Sequence, residues 1–66
     1  MTIRTNTNKK FILSLTIDID LIQYEITLNV TLYNRLNGSR QTTNYRAHQL
    51  QQAIEQYNQL NNIIFN

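Results

Sequence analysis

Between Phe11 and Leu32 the chain alternates apolar and polar residues with a period of two, and the alternation changes phase once. Phe11, Leu13, Leu15, Ile17 and Ile19 fall on one face, opposite Ile12, Ser14, Thr16, Asp18 and Asp20. After Asp20 the apolar set moves to the even positions Ile22, Tyr24, Ile26, Leu28, Val30 and Leu32. A period of two marks a strand with one buried face. Because side chains alternate strictly along a strand, a one-residue slip exchanges its two faces. One straight strand therefore cannot carry both halves. Two antiparallel strands can, provided that the turn between them holds an even number of residues. Asp20-Leu21 and Asp20 to Gln23 both meet that condition, and a bulge in a single bent strand is the alternative.

Asn37-Gly38 predicts a second hairpin, since Asn-Gly readily occupies the two positive-φ positions of a type I′ turn. That turn pairs Leu36 with Ser39, Arg35 with Arg40, Leu32 with Thr43 and Val30 with Tyr45. The third strand, from about Ser39 to Asn44, is short and polar, as edge strands tolerate. From Tyr45 the period lengthens. Ala47, Leu50, Ile54, Tyr57, Leu60 and Ile64 form a helical stripe with Ala53 beside it, and Thr43 or Asn44 is the expected N-cap. Residues 1–8 have no period and read as a flexible N-terminal arm. The expected architecture is α+β, with residues 9–66 forming one domain. It is a three-stranded antiparallel β-meander with one C-terminal amphipathic helix packed on one face, in the order β-β-β-α.

A chain of 66 residues buries only roughly 60% of the surface its unfolded form exposes, so its stability margin is thin. Small domains commonly lean on disulfides, a structural metal or self-association. The chain has no cysteine and a single histidine, which removes the first route and closes off a structural zinc site. Association is the prop that remains, and a homo-oligomer formed through the first strand or the helix is expected.

The same inventory supplies little for catalysis. His48 falls early in the helix, and Glu55, seven residues on, lies about 10 Å further along the axis, too far to orient an imidazole. A surface histidine is the simpler reading. One glycine in the whole chain leaves no phosphate-cradling loop. Asp18, Asp20 and Glu25 are carboxylates at one turn, where turn formation explains them without a cation. No catalytic, cofactor-binding or metal-ligating set is predicted. No apolar run exceeds three residues, and Ser14, Thr16, Asp18 and Asp20 interrupt any leader-like core, so a cytoplasmic protein is expected.

Net charge is +2, and only 15% of residues are charged, below the usual ~25%. Ten Asn, eight Thr and seven Gln carry the polar surface instead. In the expected meander Lys9, Lys10, Arg35 and Arg40, with Arg46 a weaker member, gather at one pole and the acids at the other. Arg35 and Arg40 as cross-strand partners would repel, which suits an anion held between them. The face turned away from the helix presents Ile12, Asn29, Thr31, Tyr33 and Thr42 among these bases, a mixture found on recognition surfaces. The strand Phe11–Ile19 is long and carries neither proline nor an internal lysine, so it reads as an open edge.

The three-strand-then-helix plan resembles that of the small integrase arm-binding domains and a class of plant transcription-factor domains, which lay a sheet in the major groove. It also resembles several phage-encoded inhibitors of host enzymes. The resemblance is one of architecture, without a specific motif, and it implies two functions. The first is a small non-enzymatic inhibitor or regulator, of the kind phages and mobile elements encode, that binds a protein partner through the open sheet face and edge strand. The second is nucleic-acid binding by the same face. Both use Lys9, Lys10, Asn29, Thr31, Tyr33, Arg35, Arg40 and Thr42.

Overall fold

The computed structural model describes residues 1–66 and is an antiparallel sheet carrying one C-terminal helix. The sheet has four strands rather than three: β1 (Thr2–Thr7), β2 (Phe11–Asp20), β3 (Glu25–Asn34) and β4 (Arg40–Arg46), in the spatial order β1-β2-β3-β4. A 3₁₀ turn over Ala47–Gln49 leads into α1 (Leu50–Phe65).

The added strand is the segment read as a flexible arm. It pairs Thr7 with Ile12, Asn6 with Leu13, Thr5 with Ser14 and Arg4 with Leu15, and a bulge between Thr2 and Arg4 separates these from the Thr2–Thr16 pair. The pairing continues to Met1, whose carbonyl accepts from the Ile17 N–H at 2.6 Å. Its inward positions are Arg4 and Asn6, so no apolar alternation betrays it. Their polar groups are met by the helix instead. Asn6 Nδ2 donates to Asn61 Oδ1 at 2.7 Å, and Arg4 Nη1 donates to Asn58 Oδ1 at 3.3 Å.

Each hairpin opens on an Asn or Asp whose side chain accepts from the backbone two and three residues on. Asn8 Oδ1 takes the N–H groups of Lys10 and Phe11, Asp20 Oδ1 those of Ile22 and Gln23, and Asn34 Oδ1 those of Leu36 and Asn37. These rings hold the turns without tertiary contacts. The β2–β3 register pairs Asp20 with Glu25 across the loop 21–24. The even parity required by the phase slip holds, with the loop opening one residue later than in either expected version.

The β3–β4 hairpin departs from the Asn-Gly expectation. The pairing is Tyr33 with Arg40, Leu32 with Gln41 and Val30 with Thr43, two residues from the type I′ register. Asn34 captures the loop amides and makes a four-residue loop 35–38, with Gly38 at φ +73° closing it. A shift of two leaves every side chain on its expected face. It also separates Arg35 from Arg40, so their cross-strand pairing is corrected.

The core lies between the inner sheet face and α1. Leu13, Leu15, Leu28, Val30, Ala53 and Tyr57 are buried, with Ile17, Leu32, Tyr45, Leu60 and Phe65 packed around them. Fully burying a leucine contributes about 1.5–3 kcal/mol, so Leu13 and Leu15 anchor the fold. Ala53 is wholly buried, and its small side chain lets helix and sheet approach closely. Leu50 and Ile54, expected within the stripe, sit at its margin, each more than a third exposed. Residues 43–46 belong to β4, so the helical segment starts later than the expected Thr43 or Asn44 cap.

Candidate interaction surface

The sheet face away from α1 is uncovered, and the registers arrange it in cross-strand rows. Thr7, Ile12, Tyr33 and Arg40 form the first row, and Thr5, Ser14, Thr31 and Thr42 the second. Thr2, Thr16, Asn29 and Asn44 form the third, followed by Asp18, Thr27 and Arg46. Directly paired residues share a face, so β1 widens the surface by three threonines that the expected three-stranded sheet lacked.

The first row holds the strongest chemistry. Arg40 Cζ lies 5.9 Å from the centre of the Tyr33 ring, within cation–π range, worth about 0.5–1 kcal/mol at an exposed site. Ile12, Ser14, Thr31, Tyr33 and Arg40 line a shallow hollow there. In the second row the Thr31 and Thr42 hydroxyls meet at 3.1 Å. In the third, Asn29 Nδ2 donates to Asp18, which fixes the amide and places a carboxylate on the same face as Arg40.

Lys9 and Lys10 occupy the two-residue β1–β2 turn, at the same end of the sheet as Arg40. Arg35 is at that end too, but its guanidinium is used locally: Nη1 donates to the Asn8 carbonyl at 2.9 Å and ties the two loops together. Thus the expected site residues Lys9, Lys10, Tyr33, Arg35 and Arg40 converge at one end, and Asn29, Thr31 and Thr42 continue the surface toward the middle. Arg46 does not join them. It pairs with Thr27 near the other end, where it borders a hollow with Glu25 and His48.

Two further expectations are corrected. The strand Phe11–Ile19 lies within β2, which is hydrogen-bonded on both sides, by β1 and β3. It is not an edge, and its backbone groups are not free to pair with another strand while β1 is in place. The free edges belong to β1 and β4. The second correction concerns Ile22 and Tyr24, expected on the buried face; both stand in the β2–β3 loop, nearly fully exposed. Asp20 at this end is engaged in its turn, and no three His, Asp or Glu side chains converge as ligands for a cation. No helix is long and apolar enough to cross a membrane.

Searches of family models, curated proteins and solved structures returned no match to this chain.

Proposed function

We propose that this chain is a small non-enzymatic interaction protein that binds a protein partner through the uncovered sheet face, centred on Tyr33, Arg40 and Ile12. The observation that carries the reading is the composition of that face. A tyrosine–arginine platform and an isoleucine border a field of neutral Thr, Ser and Asn groups, while Asp18 stands on the same surface. Tyr and Arg are the residue types most enriched among interface anchors, and neutral donors and acceptors around them make a polar rim. A nucleic-acid backbone laid along the strands would meet Asp18 and Asp20, and four of the six basic residues lie at one end rather than along a track. That the contact inhibits or regulates the partner is a further part of the proposal; the small size of the chain is compatible with it.

The test is affinity capture from nuclease-treated extract with the wild-type chain and a Tyr33→Ser/Arg40→Ser variant. Each anchor is worth about 2 kcal/mol or more, so losing one weakens binding by roughly 30-fold and losing both by up to roughly 700-fold, at 1.4 kcal/mol per tenfold. Loss of a defined protein from the variant, with thermal unfolding unchanged, supports the proposal. Equal retention by the variant overturns it. So does an amide NMR titration in which residues 27–44 shift with duplex DNA at about 50 mM salt and recover near 200 mM, the range in which phosphate-driven contacts weaken.

A further inference from the structure

We propose that the two ends of this molecule are complementary and that copies associate head to tail, the β2–β3 loop of one entering a hollow at the opposite end of the next. The molecule is elongated, 38 × 21 × 15 Å, and its ends differ in a matched way. At one end Leu21, Ile22 and Tyr24 project from the loop with 78, 89 and 91% of their surface exposed. Exposed apolar side chains are unremarkable singly, but a concentrated patch marks a contact site. The carboxylates Asp18, Asp20 and Glu25 stand around this apolar tip and outnumber the two cations at that end, Arg46 and the N-terminal ammonium, since Asp20 and Glu25 pair at the base of the loop and Asp18 sits one outward position below.

The loop is shaped before it binds. Asp20 Oδ1 accepts from Ile22 and Gln23 at 2.9 and 3.1 Å, and Tyr24 holds a left-handed φ of 54°. A non-glycine residue in that region is strained, and no buried contact of the tyrosine offsets the strain. Preorganisation lowers the ordering cost of association.

The other end supplies the counterpart. Between the β1–β2 turn and the last turns of α1, a hollow is lined by Phe11, Ile63 and Ile64 and rimmed by Asn8, Lys9 and Lys10. Ile63 is 77% exposed, an apolar residue outside the core of its own chain. An acid-collared apolar tip and a lysine-rimmed apolar hollow match in both polarity and charge, and opposite charges at a contact also guide orientation. Because tip and hollow occupy opposite ends, an end-on contact is heterologous and builds an open chain or a closed ring rather than an isologous two-fold dimer. It leaves the Tyr33–Arg40 platform itself open, although Lys9 and Lys10 stand at the same end of the sheet.

Sedimentation velocity tests it with three variants: Ile22→Asp at the tip, and Ile63→Glu and, separately, Lys9→Glu at the hollow. All three sites are on the surface, and circular dichroism confirms that each variant is folded. The wild-type chain should grow in average mass from about 10 μM to about 1 mM, the range of weak contacts, and shrink as salt is raised, since screening weakens charge pairing. Each variant alone should associate at least tenfold more weakly. An equimolar mixture of Ile22→Asp with either hollow variant should form a dimer and stop there, because one intact tip and one intact hollow remain. A wild-type chain that stays monomeric throughout, variants that associate as the wild type does, or a mixture that yields no dimer would each overturn the proposal.

Discussion

Replacing Gly38 with alanine tests the account of the turns, because the replacement changes almost nothing else. Gly38 closes the loop 35–38 at φ +73°, and a Cβ placed there meets no atom within 4 Å. The cost is therefore confined to the backbone. An L-residue in the left-handed region is disfavoured by about 1–2 kcal/mol. Alanine also restricts the unfolded chain, which returns about 0.4–1 kcal/mol to the folded state. The difference leaves Gly38→Ala less stable by about 1 kcal/mol. Tyr24 occupies the equivalent fourth position of the loop 21–24 at φ 54° and is almost fully exposed. Tyr24→Gly reverses both terms without losing buried surface, and should stabilise by up to about 1 kcal/mol. In a domain of this size each kcal/mol moves the melting temperature by about 4–8 °C, so thermal unfolding by circular dichroism resolves both changes. The double variant should fall close to wild type, since the loops lie at opposite ends and share no partner. A Gly38→Ala chain that melts with the wild type, or a Tyr24→Gly chain that melts well below it, would refute the assignment of these two residues as strained loop closures.

Two predictions concern the core and the strand that holds its flank. Leu13→Ala removes a fully buried side chain from a core of six buried residues; at about 2–5 kcal/mol it should leave the chain largely unfolded, as read from amide dispersion. A double-mutant cycle of Asn6→Ala and Asn61→Ala should give a coupling of about 0.5–1.5 kcal/mol in urea unfolding, the net worth of one part-buried hydrogen bond. Zero coupling would mean that the Asn6–Asn61 bond does not help to tie β1 to the helix.

How far the sequence was legible depends on whether inward positions are apolar. Phe11, Leu13, Leu15 and Ile17, and Leu28, Val30 and Leu32, face inward in the structure as the two alternating runs require, because burying them on one face is the largest stabilising term available. β1 escaped the same reading since Arg4 and Asn6 face inward and are satisfied by Asn58 and Asn61, a pairing that only the assembled fold creates. Ile22 and Tyr24 continued the alternation in the sequence, yet the Asp20 side chain captures the following amides and turns the chain before they can join β3. Asn34 does the same one hairpin later, outcompeting the tighter Asn37-Gly38 turn and setting the register two residues away. On the candidate surface, the convergence of Tyr33 and Arg40 was legible as a shared face, while their direct contact depended on that shifted register. The role of Arg35 as a brace between loops was not legible, because it requires the β1–β2 turn to lie beside it.

The uncovered face as the contact surface for a protein is the central claim, and site-specific photo-crosslinking in the cell of origin tests it most directly. A crosslinking residue at Thr31 or Thr42, in the middle of the face, should capture one defined protein. The same group at Gln52 or Gln59, on the exposed side of α1, should not. Capture from the helix positions but not from the sheet, or capture of nucleic acid alone from the sheet, would contradict the account.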